Sequence, residues 1–175
     1  MRKKLSSESG LTLVEMLAAV VILILLGLLL NTGLQMAMST YRAIVAQSEV
    51  ELLLSTAVDA LADDLRYARD VSGSGGSFTY TSDSFGANTD LTLDNGQIMA
   101  NGMRVLPSGA YGLNGAYQVK ATGAAGIVTW DETGGTFTIE LRVETTDGKI
   151  SAETPADGVI IRCLNPKKDE AGGGT

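Results

Sequence analysis

From Met16 to Tyr41 the chain runs for 26 residues without a charged side chain, and residues 16–30 are almost entirely aliphatic. As a helix rising about 1.5 Å per residue the segment reaches roughly 39 Å, against a hydrocarbon core of about 30 Å, so it is long enough to cross a bilayer. Arg2, Lys3 and Lys4 precede it and only Arg42 follows closely. The positive-inside bias sets the N-terminus in the cytoplasm and exports everything after Arg42, which predicts a single-pass membrane protein with its C-terminal domain outside.

What surrounds this segment is small. A length of 175 residues allows one compact domain plus an appendage. Histidine is absent and cysteine occurs once, which excludes an intrachain disulfide, a Cys/His zinc cluster, a Ser-His-Asp triad and imidazole acid–base chemistry. No cofactor or metal is implied. The balance of 13 basic against 20 acidic residues, with 5% aromatics, supplies neither a basic field for phosphates nor the usual stacking surface, so nucleic acid is disfavoured as a partner.

Three readings compete for the apolar segment. A cleaved secretory signal finds a passable small-residue site at Ala37-Met38-Ser39, although the run is long for that purpose. A permanent signal anchor is the second. The third rests on Gly10, which separates the basic leader from Leu11-Thr12-Leu13-Val14-Glu15. This head resembles the prepilin signal of type IV pilins and type II secretion pseudopilins. The resemblance implies cleavage after Gly10 by a membrane aspartyl peptidase and methylation of the new terminus at Leu11. It also implies retention of Glu15, five positions past the cut. Leu11 stands where phenylalanine is more usual, and aliphatic residues also occur there. The match covers residues 1–30 by motif and the rest by architecture.

Glu15 has a bland reading, as a hydrated carboxylate marking the cytosolic edge of a membrane helix. In the sharper reading, cleavage leaves it one turn inside the terminus on an otherwise apolar surface. Burying such a charge costs roughly 2.5–3.5 kcal/mol on insertion scales, so it should seek a cation. The resemblance supplies the α-ammonium of Leu11 on a neighbouring subunit, a pairing that acts mainly as a register device.

After Arg42 the pattern becomes amphipathic and is predicted to stay helical to about Asp70. Val50, Leu54, Val58, Leu61, Leu65 and Ala68 form one stripe at spacings of three and four. A coiled-coil partner is one cover for it; the chain's own sheet is the favoured one. A continuous helix from Leu11 to Asp70 would extend about 90 Å, with Asn31-Thr32-Gly33 as its weakest stretch.

Glycine, serine and threonine rise sharply from Val71 onward and the period becomes two. Residues 90–99 read as a hairpin turning at Asn95-Gly96. Residues 136–144 alternate Phe137, Ile139, Leu141 and Val143 inward, and Asp147-Gly148 turns this strand into residues 149–153. Residues 126–130 and 159–164 are further strands. Residues 73–76 and 123–126 read as glycine linkers, and Cys163 as a buried small hydrophobe. Asp131-Glu132 and the Asp and Asn residues around 87–95 lack the spacing of a calcium loop and read as solvated turns.

The predicted architecture is α+β: a long N-terminal helix, membrane half plus amphipathic half, packed on a small antiparallel sheet in a pilin-like manner. The organisation is a cleaved leader at 1–10, a transmembrane or filament-core helix at 11–41 and an amphipathic helix at 42–71. A β domain at 72–166 and a tail at 167–175 follow. The resemblance implies a structural subunit of a type IV pilus or pseudopilus, and not an enzyme. Its partners would be the prepilin peptidase, other pilin or pseudopilin subunits, an assembly platform protein and its ATPase, and membrane lipid before assembly into an extracellular or envelope-spanning filament. Residues 61–68 resemble the last helical turns of minor pilins. Removing residues 1–10 takes away three basic and one acidic residue and leaves a formal charge of −9, which disfavours DNA. Two alternatives stand beside this reading. One is a tip or binding pilin contacting a surface, DNA or cargo; the other is a permanently anchored exported protein.

Overall fold

The computed structural model describes residues 12–106 and 115–165. The chain divides into two compact units, one ending at Ala43 and one beginning at Ile44. Helix α1 (Leu13–Arg66) supplies the described part of the first unit and the opening of the second. It ends before the expected Asp70, and a strand begins at Arg69. In the first unit the helix runs unbroken through Asn31-Thr32-Gly33. The Thr32 hydroxyl donates to the Leu28 carbonyl at 3.0 Å, the Gln35 amide to Asn31 Oδ1 at 3.0 Å, and the Thr40 hydroxyl to the Met36 carbonyl at 3.0 Å. Polar groups in the apolar run are thus satisfied within the helix itself.

Twelve strands follow among the described residues: β1 (Arg69–Ser74), β2 (Ser77–Ser82), β3 (Gly86–Thr89), β4 (Leu91–Asp94), β5 (Gln97–Ala100), β6 (Met103–Arg104), β7 (Tyr117–Ala121), β8 (Val128–Asp131), β9 (Thr136–Ile139), β10 (Leu141–Thr145), β11 (Ser151–Glu153) and β12 (Val159–Arg162). They form four three-stranded antiparallel sheets, ordered β1-β2-β3, β4-β5-β6, β7-β10-β11 and β8-β9-β12. The helix packs against these small sheets, so the mixed α+β architecture read from the sequence is present, with four sheets where one was expected.

The division has a local cause at Glu140. The single strand expected over 136–144 breaks there, because the Glu140 N–H donates to the Ile127 carbonyl at 2.9 Å and its carbonyl accepts the Thr122 N–H at 3.2 Å. β9 therefore pairs with β8 and β12, while β10 pairs with β7 and β11. The inward alternation survives the break, since Phe137, Ile139, Leu141 and Val143 are all fully buried.

The predicted 90–99 hairpin is present as β4 and β5, with Asp94 opposite Gln97. Asn95 and Gly96 both take positive φ, 50° and 74°, the twist that a two-residue turn between right-handed strands needs. The expected glycine linkers at 73–76 and 123–126 are instead built into the fold. Gly75 exchanges two backbone hydrogen bonds with Trp130, at 2.9 and 2.7 Å, and Gly123 bridges Gly126. Gly76 lies so close to the Ala125 carbonyl that a Cβ there would collide with backbone; the residue type answers a packing demand, not one for flexibility.

One core joins the helix to all of this. Phe78, Tyr80, Trp130 and Phe137 form its aromatic centre, with Trp130 and Phe137 ring centroids 4.5 Å apart. The helix contributes Val50, Ala57, Leu61 and Leu65. Relative to the predicted stripe the buried line is rotated: Ala57 is fully buried, while Leu54 and Val58 are only partly covered. The small side chain of Ala57 takes the fully buried place, and the two larger residues are left on the flank.

Candidate functional site

Gly10, Leu11, Arg2, Lys3 and Lys4 lie outside the described residues, as does the tail expected at 167–175. Of the residues singled out for processing and assembly, Glu15 can be placed. It stands in the first turn of α1, and its surroundings are built locally. Glu15 Oε2 accepts the Thr12 N–H at 3.0 Å and the Thr12 hydroxyl at 3.1 Å, while the Glu15 N–H donates to Thr12 Oγ1 at 3.3 Å.

This is a reciprocal capping box, with Thr12 at the N-cap and Glu15 three residues on, each side chain satisfying a backbone donor that a helix start leaves orphaned. The negative charge also sits at the favourable end of the helix dipole. Sequence reasoning found Glu15 but missed Thr12 as its partner; the spacing Thr-x-x-Glu before an apolar run was the available signal. The carboxylate heads a helix that is long and apolar enough to cross a membrane, its most apolar 18-residue window having a mean hydropathy of 3.0 and no buried residue. Large side chains in this run, among them Leu23, Leu29 and Met36, stand well exposed. Only a surrounding that is itself apolar, such as lipid tails or other helices, suits that surface.

In the second unit two carboxylates on the helix are tied to the sheets. Asp64 accepts the Tyr80 hydroxyl at 2.6 Å and the Ser82 hydroxyl at 2.5 Å, and Ser82 Oγ in turn accepts the N–H groups of Ser84 and Phe85 at 3.0 Å. Burial first, and then the hydrogen bond to Asp64, hold the Tyr80 phenol well above the usual tyrosine range. Glu49 accepts the Tyr117 hydroxyl; that bond, followed by desolvation, pushes the Tyr117 pKa up to about 12. Both are anchoring contacts: each carboxylate is occupied by a phenol that holds its proton, an arrangement with no vacant base. The sequence around Asp64 gives no hint that it is an anchor, since its partners lie 16 and 18 residues away.

On the outward face of β7, β10 and β11, Lys120 pairs with Glu144 at 2.5 Å and Arg142 with Glu153 at 2.6 Å. The Lys120 hydrogen bond, with help from Gln118, holds the Glu144 carboxyl below the usual range despite its burial. Cys163 is buried as expected, its thiol 3.2 Å from the Ala68 carbonyl, and burial pushes its pKa up. Asp131 closes a turn, accepting the Thr133 N–H at 3.0 Å. Among the described residues no group of three or more Asp, Glu, Cys or His is placed to hold a metal ion. No family model matches this chain, and no curated protein and no solved structure matches it either.

Proposed function

We propose that this chain is a structural subunit, of the minor type, of a type IV pilus or type II secretion pseudopilus. In this reading the prepilin peptidase cuts after Gly10 and Leu11 becomes the methylated mature terminus. The chain then waits in the cytoplasmic membrane with its N-terminus inside and its sheet domain outside. A platform protein and its ATPase drive it from lipid into a filament alongside other pilin subunits, the apolar face of α1 exchanging lipid for neighbouring helices. The chain itself catalyses nothing.

The observation that carries the reading is Glu15: a single carboxylate fixed in the first helical turn, ahead of an uncharged run with no buried residue in its most apolar window. A simple membrane anchor gains only a helix cap from an acid there. A subunit that must find register against another copy's N-terminal ammonium gains more, because the charge has one low-cost position and many costly ones. The capping box supports the same reading, since Oε1 takes no partner among the described residues and is left to accept from a neighbour.

Glu15→Val tests it in the native host. The variant is expected to insert and be processed normally, yet to vanish from the sheared-surface fraction where the parent chain is found. Equal recovery of the two chains from that fraction would overturn the assignment.

A further inference from the structure

A cavity of about 580 Å³ lies wholly within the second unit, lined by the β1–β2 hairpin, by β4 and by residues 125–128. It opens where a strand pair parts. Tyr80 of β2 pairs with Thr89 of β3, and in that register Phe78 would meet Leu91 two residues further on. At Asp90 the chain leaves β2 instead, and β4 pairs with β5 alone among the described strands. Phe78 and Leu91 both line the resulting wedge.

β4 turns its unused backbone toward this wedge. The two-residue turn at Asn95-Gly96 makes Asp94 and Gln97 a hydrogen-bonded pair, and bonding alternates along an antiparallel ladder, so Thr92 also bonds to β5. The Asp90 carbonyl, which accepts the Asn101 N–H at 3.0 Å, keeps the same phase. Leu91 and Leu93 therefore aim their N–H and C=O groups the other way, along the edge of β4 that lines the cavity. No backbone group among the described residues bonds to them there.

An edge with unused donors and acceptors is a template for one more strand. The lining narrows what that strand can be. Leu91, Leu93 and Ile127 are apolar, whereas Ser72, Ser77 and Thr79 carry hydroxyls. Asp90 is the one charged residue of the lining, and it forms no ion pair among the described residues. We infer that the cavity receives an extended segment of a second protein, laid along β4, with alternating aliphatic and hydroxyl side chains and a lysine or arginine that meets Asp90. Such docking needs a single copy of this chain and stands whether or not that copy is built into a filament.

The test titrates the full chain, kept in detergent, with two short blocked peptides of alternating valine and threonine. One carries a central lysine and the other glutamate in its place, and amide hydrogen exchange is read residue by residue. Without peptide the Leu91 and Leu93 amides should exchange faster than those of Thr92 and Asp94. The lysine peptide should slow both, and should bind about two- to fivefold tighter than its twin, the worth of one exposed ion pair. Asp90→Lys should reverse that order. Leu93→Pro deletes a donor on the unused edge and none in the β4–β5 ladder, so it should abolish the slowing. Asp90 is exposed, and its charge reversal carries the test if the proline variant fails to fold. Slow exchange at Leu91 and Leu93 before any peptide is added would overturn the inference, as would no slowing by the lysine peptide. Slowing that ignores Asp90→Lys, or that follows the concentration of the chain alone, would overturn it as well.

Discussion

Asp64 illustrates how much a single side chain can bind together, since its two oxygens hold a buried phenol and a hydroxyl that itself caps two backbone N–H groups. Tyr80→Phe removes a bond to a charged acceptor and is expected to cost about 1.5–3 kcal/mol, read as a lowered unfolding midpoint in detergent. An unchanged midpoint would show that the contact contributes nothing. The two anchoring tyrosines also predict alkaline sensitivity. In the folded chain both hold their protons above the usual value, Tyr117 to about 12, whereas the unfolded chain's tyrosines lose theirs near pH 10. Both contributions are present in full below about pH 10; that of Tyr117 is lost as pH rises through about 12, and that of Tyr80 declines over a window that extends higher. Thermal unfolding should therefore fall in that window, and fall less in the Tyr80→Phe, Tyr117→Phe double variant; identical slopes would contradict the assignment. The place of Glu15 at the head of α1 was legible from sequence because it is set locally, by an acid just ahead of an apolar run. Asp64 was not, because its partners lie 16 and 18 residues away on a strand that no local pattern announces.

At the scale of elements, periodicity revealed what short-range physics controls and missed what close backbone approach controls. The Asn95-Gly96 hairpin and the inward line of Phe137, Ile139, Leu141 and Val143 were legible, because turn chemistry and alternation are written in adjacent residues. The break at Glu140 was not, since alternation continues through it and only pairing partners from residues 122 and 127 divide the strand. β1 was hidden for a related reason: its sequence, rich in glycine and serine, looks like a linker, and its first residues were assigned to the end of the helix. Gly76→Ala distinguishes packing from flexibility. The added methyl would meet the Ala125 carbonyl, so a loss of about 1–3 kcal/mol is expected from overpacking. A true linker would tolerate alanine or gain slightly from the smaller unfolded-state entropy, and the unfolding midpoint of the variant decides between them.

For the whole molecule, two surfaces have opposite needs. The run from Met16 to Tyr41 is uncharged and its most apolar window has no buried residue, which commits it to lipid or to other helices. The second unit encloses its own core and leaves no buried side-chain polar atom without a partner among the described residues. Such a chain needs an apolar surrounding for its first unit, which the proposed filament subunit would find first in lipid and then among neighbouring helices. The most direct test is the mass of the N-terminal peptide of the protein recovered from membranes and from sheared surface material of its native host. A peptide beginning at methylated Leu11 is the predicted result. An intact Met1 where the peptidase is active, or a start near Thr40, would contradict the account, the first in favour of a permanent anchor and the second in favour of a freely secreted domain.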